Sequence, residues 1–281
     1  MSFSVSLCKF LTSKFSLPVH PFNNQESGKT YAEWQYEKGN DTVAFFLPFA
    51  NFDEMLKGKT ILDVGCGAAG KTLFYASQGV KKIYGLELLE KYRDEADNLA
   101  KKLELDHLFE FVPADATELP FEDNSIDTII MNDSFEHIPD PEKALKEALR
   151  VLKPKGRVYI NFPPYYHPFG AHLSDAIGMP WVHMFFSDDT LIKVYKDAVK
   201  DLPDADERLK FRISKDENGR EYFSYINKLT IKRGQEIVKN LGLTPVYHTE
   251  APLRPYFKLF AKLPLFKEMF VKMVVYVFEK P

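Results

Sequence analysis

The middle of the chain alternates short apolar runs with helix-like segments. Five runs have the length and the β-branched or aromatic content of strands: Thr60–Val64, Lys82–Leu86, Phe109–Val112, Asp127–Met131 and Arg157–Phe162. Between them, residues 91–105 and 140–153 repeat apolar positions every three or four residues, which predicts helices. Asp140 suits the N-cap of the second helix, and Pro141 suits its first position. This order predicts a parallel sheet covered by helices on both faces.

The flanks of this core carry weaker patterns. An irregular start precedes a helical pattern over residues 30–49, and residues 163–186 predict a long loop rich in Pro, His and aromatic residues. Residues 201–220 are polar and predict a surface excursion. Two helices and two strands complete the prediction: 188–199 capped by Ser187, a helix capped by Thr230 that ends before Gly242, and strands at 244–248 and 273–278.

Composition narrows the class of protein. The 281 residues are 45% apolar and 27% charged, as in globular proteins. A net charge of -3 lacks the basic excess of nucleic-acid-binding proteins, so we expect no nucleic-acid partner. Cys8 and Cys66 make no disulfide framework, which indicates a reducing compartment. Lys9 and Lys14 interrupt the N-terminal apolar stretch, so it does not resemble a signal peptide, and we expect a cytoplasmic protein.

A glycine-rich turn carries the strongest chemical signal. Gly65, Gly67 and Gly70 satisfy G-x-G-x-x-G after the first strand, and Glu87 follows 20 residues beyond Gly67. This pattern alone allows a nicotinamide-dinucleotide site. However, Asp63 would bring a carboxylate close to a pyrophosphate. A cationic ligand without phosphate, such as S-adenosylmethionine, suits the two acids better.

The same segment resembles the class I S-adenosylmethionine-dependent methyltransferases over residues 59–162. ILDVGCG is similar to the family's first motif, YGLEL to its ribose-binding acid, PADAT to its adenine-binding Asp, and MNDSFEH to the end of its fourth strand. Ala69 stands where a third glycine is common. The resemblance implies S-adenosylmethionine as cofactor. It also implies these cofactor-binding residues: Asp63, Gly65, Cys66, Gly67, Glu87, Leu88, Asp115, Ala116, Asn132 and Asp133.

The resemblance implies a doubly wound α/β fold with seven mostly parallel strands, the last one antiparallel. It adds an N-terminal helical cap and an inserted lid. We therefore predict four segments: a cap at 1–55, a cofactor-binding core at 56–162, an acceptor-binding lid at 163–230, and a C-terminal completion of the sheet at 231–281. In the cap, Trp34 and Tyr36 are expected to pack on the core or over the cofactor.

The acceptor should bind beyond the carboxyl ends of the fourth and fifth strands. Asn161-Phe-Pro-Pro-Tyr165 resembles an amino-methyltransferase signature, but Phe162 precedes the prolines and the segment follows the fifth strand, so we interpret it as a rigid exit from the sheet. The general-base candidates are His167 and His172, with Asp133 and His137 as further catalytic candidates. The histidine spacing matches no zinc signature, and we predict no metal.

The flanks also hold most of the aromatic residues, which favours a small, hydrophobic or lipid-like acceptor, with oxygen preferred as the methylated atom. Residues 252–281 combine six Lys or Arg with seven Phe or Tyr. They either complete the sheet edge or contact a membrane surface, with Leu259 to Phe270 as a broad helical face. Two other functions remain open: a nicotinamide-dependent oxidoreductase, and a non-catalytic protein that retains the cofactor fold. The oligomeric state is not predicted.

Overall fold

A computed structural model describes residues 2–18, 29–263 and 266–281, without the side chain of Lys262. It divides into two compact units. The sheet unit comprises Gly28–Phe162, Lys232–Ala251 and Met273–Pro281, and the flanking unit comprises Met1–Ser27, Pro163–Ile231 and Pro252–Lys272. Residues 19–28 of the predicted cap, and Pro264 of the predicted C-terminal helical face, lie outside the described residues.

Seven strands of the described chain form one sheet: β1 Thr60–Val64, β2 Lys82–Glu87, β3 Phe109–Pro113, β4 Ile126–Asn132, β5 Leu152–Phe162, β8 Tyr247–Pro252 and β9 Val271–Glu279. Their order is β3-β2-β1-β4-β5-β9-β8. β1 to β5 pair in parallel, and β9 pairs antiparallel with β5 from Arg157↔Glu279 to Phe162↔Val274. The predicted doubly wound sheet is confirmed.

Helices cover the strands of the sheet unit: α2 Tyr31–Glu37, α3 Gly39–Thr42, α4 Phe52–Met55, α5 Gly70–Ala76, α6 Arg93–Lys102, α7 Pro141–Val151 and α11 Ile231–Asn240. As predicted, Asp140 caps α7, because its carboxylate accepts from the Lys143 N–H at 3.0 Å, and Pro141 begins the helix. β1 and β4 are buried along almost their whole length, which explains their continuous apolar sequence.

The flanking unit is mostly helical: α1 Phe3–Thr12, α8 Val182–Phe185, α9 Asp188–Val199, α10 Ala205–Arg212 and α12 Lys267–Phe270, with a hairpin of β6 Ile213–Lys215 and β7 Glu221–Phe223. Short 3-10 turns, Pro255–Phe257 and Phe260–Lys262, and the short helix α12 stand where a broad helical face interrupted by Pro264 was predicted for the C-terminal segment. The core of the flanking unit is apolar, and Val5 and Cys8 of α1 pack there among residues of α9.

Two predictions for this unit were wrong. The start of the chain is not irregular, since α1 begins after Ser2, whose side chain accepts from the Val5 N–H. Residues 201–220 do not lie only on the surface, because Arg208 and Arg212 of α10 are buried. Asp175 pairs with both guanidinium groups, at 3.1 and 2.8 Å. A buried ion pair of this kind has no apolar periodicity, so the sequence pattern does not indicate it.

Candidate functional site

The glycine turn lies at the carboxyl end of β1. Gly65 and Gly67 have φ angles of +79° and +53°, which L side chains rarely adopt. A Cβ on Gly65 would come within 2.6 Å of the Ser134 Cβ, whereas a Cβ on Gly67 would meet nothing within 4 Å. Gly65 therefore allows close packing against the end of β4, and Gly67 presents its backbone to open space, as a cofactor-binding turn requires.

The third glycine of the sequence motif serves packing. A Cβ on Gly70 would lie 2.2 Å from the Ala32 carbonyl oxygen of α2. Ala69, where a glycine is common in the family, has a φ angle of +63°. The turn thus keeps its left-handed conformation with an alanine, and Gly70 lets α2 approach the start of α5.

Glu87 joins the turn to the end of β2. Its two carboxylate oxygens accept from the backbone N–H groups of Gly67 and Leu89, each at 3.0 Å. Leu88 between them is 64% exposed. The acid predicted from the motif spacing therefore lies beside the turn, with an exposed apolar side chain next to it.

Asp63 is buried under the turn. Its carboxylate accepts from the Thr72 hydroxyl at 2.6 Å. Burial raises the pKa of Asp63 to about 6, although the Thr72 hydrogen bond and the charge of Lys71 oppose that rise. Cys66 is also buried, and its Sγ would lie 2.9 Å from a Cβ on Gly85. The buried side chains of Asp63 and Cys66 thus pack beneath the backbone of the glycine turn.

The end of β4 carries an ion pair beside a buried amide. Lys71 Nζ lies 3.1 Å from a carboxylate oxygen of Asp133 and donates to the Asn132 carbonyl at 3.3 Å. Burial tends to lower the pKa of Lys71, but the Asp133 carboxylate outweighs it and the pKa is raised, so the ammonium stays charged. Asp133 has a φ angle of +55°, and its N–H donates to the Asn161 side chain at 2.8 Å. Lys71 was not predicted as a site residue, although it directly follows the glycine motif.

Asn132 is oriented for a further partner. Its amide nitrogen donates to the Thr42 carbonyl at 2.9 Å and to the Tyr75 hydroxyl at 3.0 Å. Its buried side-chain oxygen accepts no hydrogen bond from the described residues. A buried acceptor without a donor is costly, so a ligand group with an N–H or O–H fits here.

Asp115 and Ala116 follow β3. The Asp115 carboxylate accepts from the Thr117 N–H at 2.8 Å, and the residue is exposed, while Ala116 is buried. The Ala114 N–H donates to the Glu87 carbonyl at 3.1 Å, which brings this turn to the end of β2. The ends of β1 to β4 thus bring the predicted cofactor residues to one edge of the sheet.

The catalytic candidates belong to two units. Asp133 and His137 lie in the sheet unit, where His137 Nε2 is 3.8 Å from a carboxylate oxygen of Glu136. His167 and His172 lie in the flanking unit. Burial lowers the pKa of His167 to about 4, and its Nδ1 accepts from the Phe169 N–H at 3.2 Å. The His172 carbonyl accepts from the Tyr225 hydroxyl at 2.5 Å. Their roles as bases stay predictions.

Comparison with known proteins finds a domain match over this part of the chain. Residues 62–160 match the model described as a methyltransferase domain. The chain is 38% identical over 115 residues to a chloroplastic tocopherol O-methyltransferase of Arabidopsis thaliana, covering 41% of this chain and 33% of that protein. It is 35% identical over 121 residues to a 27-O-demethylrifamycin SV methyltransferase of Amycolatopsis mediterranei, covering 43% and 42%. The chain thus spans well under half of these relatives.

A solved structure shares the fold. A geranyl diphosphate methyltransferase in complex with S-adenosylmethionine has a TM-score of 0.55 at 15% identity, covering 88% of this chain and 85% of that one. The domain match and the relatives support, for residues 62–160, the methyltransferase resemblance and the S-adenosylmethionine cofactor that the sequence predicted.

Proposed function

We propose that this chain, whose residues 62–160 belong to the class I S-adenosylmethionine-dependent methyltransferases, methylates a small hydrophobic acceptor. The observation that carries the proposal is the joint placement of the open Gly67 turn, Glu87 and the Asn132–Asp133 corner at one sheet edge. Ligands of doubly wound sheets bind at such carboxyl ends. When bound, S-adenosylmethionine supplies a methyl group on a cationic sulfonium.

Different side chains of the chain would bind different parts of the cofactor. Glu87 would accept from the ribose hydroxyls, and Asp115 from the adenine amino group. At the end of β4, the Lys71–Asp133 pair carries both charges that the cofactor's zwitterionic amino-acid end requires: the ammonium of Lys71 for its carboxylate, and the carboxylate of Asp133 for its ammonium. The orphaned Asn132 oxygen adds an acceptor beside them.

An oxygen acceptor on an apolar molecule is the preferred substrate class. The two curated relatives named above carry O-methyl chemistry in their names, and neither named acceptor is a macromolecule. An oxygen nucleophile must lose a proton, and a nearby base assists that loss. We propose His167 or His172 for this role, with residues 163–230 as the acceptor-binding lid. Burial lowers the pKa of His167 to about 4, so its ring is uncharged at neutral pH, and it would have to release the Phe169 N–H from Nδ1 to take up a proton there.

Calorimetry with the purified chain tests the assignment. Binding of S-adenosylhomocysteine without binding of NADH supports the assignment. Binding of NADH without binding of S-adenosylhomocysteine would contradict it and favour the oxidoreductase. Transfer of labelled methyl to a panel of apolar phenols then separates an enzyme from a non-catalytic binding protein. His167→Ala and His172→Ala should bind the cofactor product normally and turn over slowly. Full turnover by both would remove the histidines from the mechanism.

Peripheral membrane contact through the C-terminal aromatic-basic segment is a second proposal. Tyr256 and Leu259 are largely exposed there, and Lys258 and Lys267 add positive charge. No helix of the described residues is long and apolar enough to cross a bilayer. Unchanged vesicle binding after Lys258→Glu and Lys267→Glu would exclude this segment.

A further inference from the structure

The N-terminal helix α1 has two apolar faces, and the described residues cover one of them and leave the other exposed. Val5 and Cys8 are buried in the core of the flanking unit, and the Ser4 hydroxyl lies 3.0 Å from that of Thr190 on α9. Phe3, Leu7 and Phe10 are 82%, 38% and 59% exposed.

Helical geometry places the exposed residues in one stripe. At about 100° per residue, Leu7 and Phe10 lie within roughly 40° of Phe3 around the helix axis, while Val5 and Cys8 lie on the opposite side. Phe15 and Leu17, just beyond the helix, are also exposed. Phe3, Leu7 and Phe10 thus form an exposed apolar stripe of the kind that marks an interaction surface.

The charges around this patch select its partner. None of residues 2–18 is acidic, and the two ionisable side chains other than Cys8 are Lys9 and Lys14. Lys14 Nζ lies 4.8 Å from the centroid of the Phe10 ring, at the border of the stripe. Lys9 lies 2.6 Å from Asp197 of α9, and that carboxylate is also 3.3 Å from Lys200, so these three side chains together carry one net positive charge.

We propose that α1 docks on an anionic lipid surface, with Phe3, Leu7 and Phe10 inserted at the level of the headgroups and Lys14 facing lipid phosphates. An amphipathic helix with aromatic and leucine side chains on one face and lysines at its border binds bilayers in this way. Buried apolar area supplies the attraction, and the lysines add a preference for anionic lipid. This surface is separate from the C-terminal segment and does not depend on the methyltransferase assignment.

Vesicle co-sedimentation of the full chain tests the proposal. The probes are vesicles of phosphatidylcholine alone and of phosphatidylcholine with phosphatidylglycerol. The wild type should bind the anionic vesicles, and Phe3→Ser with Phe10→Ser should weaken binding about tenfold or more. Lys14→Glu should weaken it about fivefold or more, and only with anionic vesicles. Phe185→Ser with Leu202→Ser, which removes exposed apolar side chains elsewhere in the same unit, is the matched control and should bind normally.

Two outcomes would overturn it. One is wild-type binding by the Phe3→Ser, Phe10→Ser variant, with an unchanged melting temperature. The other is no vesicle binding by the wild type, together with a dimer in sedimentation velocity that the same variant splits into monomers. That result would assign the stripe to a second copy of the chain.

Discussion

Replacing Lys71 by Met is the most informative perturbation of the proposed cofactor site. The Lys71 side chain is 18% exposed, so Met fits the same space and removes only the ammonium. A charge-assisted hydrogen bond in such a place contributes about 1.5–3 kcal/mol. If Lys71 binds the cofactor's carboxylate, its loss should raise the dissociation constant by about 10- to 100-fold.

The assay compares two ligands on the same protein by titration calorimetry. S-adenosylhomocysteine carries the carboxylate, and its decarboxylated analogue lacks only that group. We expect Lys71→Met to lower the affinity for S-adenosylhomocysteine strongly and to leave the affinity for the decarboxylated analogue almost unchanged. Removal of Lys71 also leaves Asp133 without its ion-pair partner, which should not weaken a ligand that offers only an ammonium.

Equal weakening of both ligands would refute the reasoning, because it would mean that Lys71 acts through the shape of the turn. Equal affinity of the variant and the wild type for S-adenosylhomocysteine would refute it as well. Lys81→Met, an exposed lysine of the same unit, is the matched control and should bind both ligands normally. Absence of binding by the wild type would instead contradict the proposed function as a whole.

Three further predictions concern stability. Asp63→Asn should stabilise the unliganded chain by about 3 kcal/mol above pH 6, because the pKa of Asp63 is about 6 in the folded chain and lower in the unfolded chain. In urea unfolding at a series of pH values, this gain should vanish as the pH falls towards 4. A difference in stability that does not depend on pH would contradict the prediction. Gly70→Ala should lower stability by about 1–3 kcal/mol in thermal unfolding, more than Gly67→Ala, since only its Cβ meets a backbone oxygen. Arg212→Met should cost about 3 kcal/mol by breaking its buried pair with Asp175, and a neutral effect in urea unfolding would show that this pair adds no stability.

The central strands were predictable because β1 and β4 are buried along almost their whole length. β1 has the predicted bounds, whereas β2 and β3, which are only partly buried, extend one residue beyond the prediction. β8 was displaced by three residues at its start, because its residues are only partly buried and the apolar pattern is weak there. α1 was missed for a related reason: its stripe faces outward, so the sequence shows apolar residues on two sides of the helix.

The cofactor site was predictable only where one motif holds both partners. Gly67 and Glu87 are linked through the spacing of a known pattern, and the structure joins them directly. Lys71 and Asp133 are 62 residues apart and meet because β4 lies next to β1, which depends on the strand order of the whole sheet. A sequence pattern contains the two residues but not their adjacency.

That adjacency also changes the interpretation of Asp133. As an isolated carboxylate at a strand end, it suits a general base. With Lys71 Nζ at 3.1 Å, however, the carboxylate is already engaged in an ion pair with a cation. A carboxylate in that state binds an ammonium better than it removes a proton from an acceptor. The ion pair with Lys71 therefore favours cofactor binding over catalysis for Asp133, and proton removal falls to a side chain that is uncharged at neutral pH.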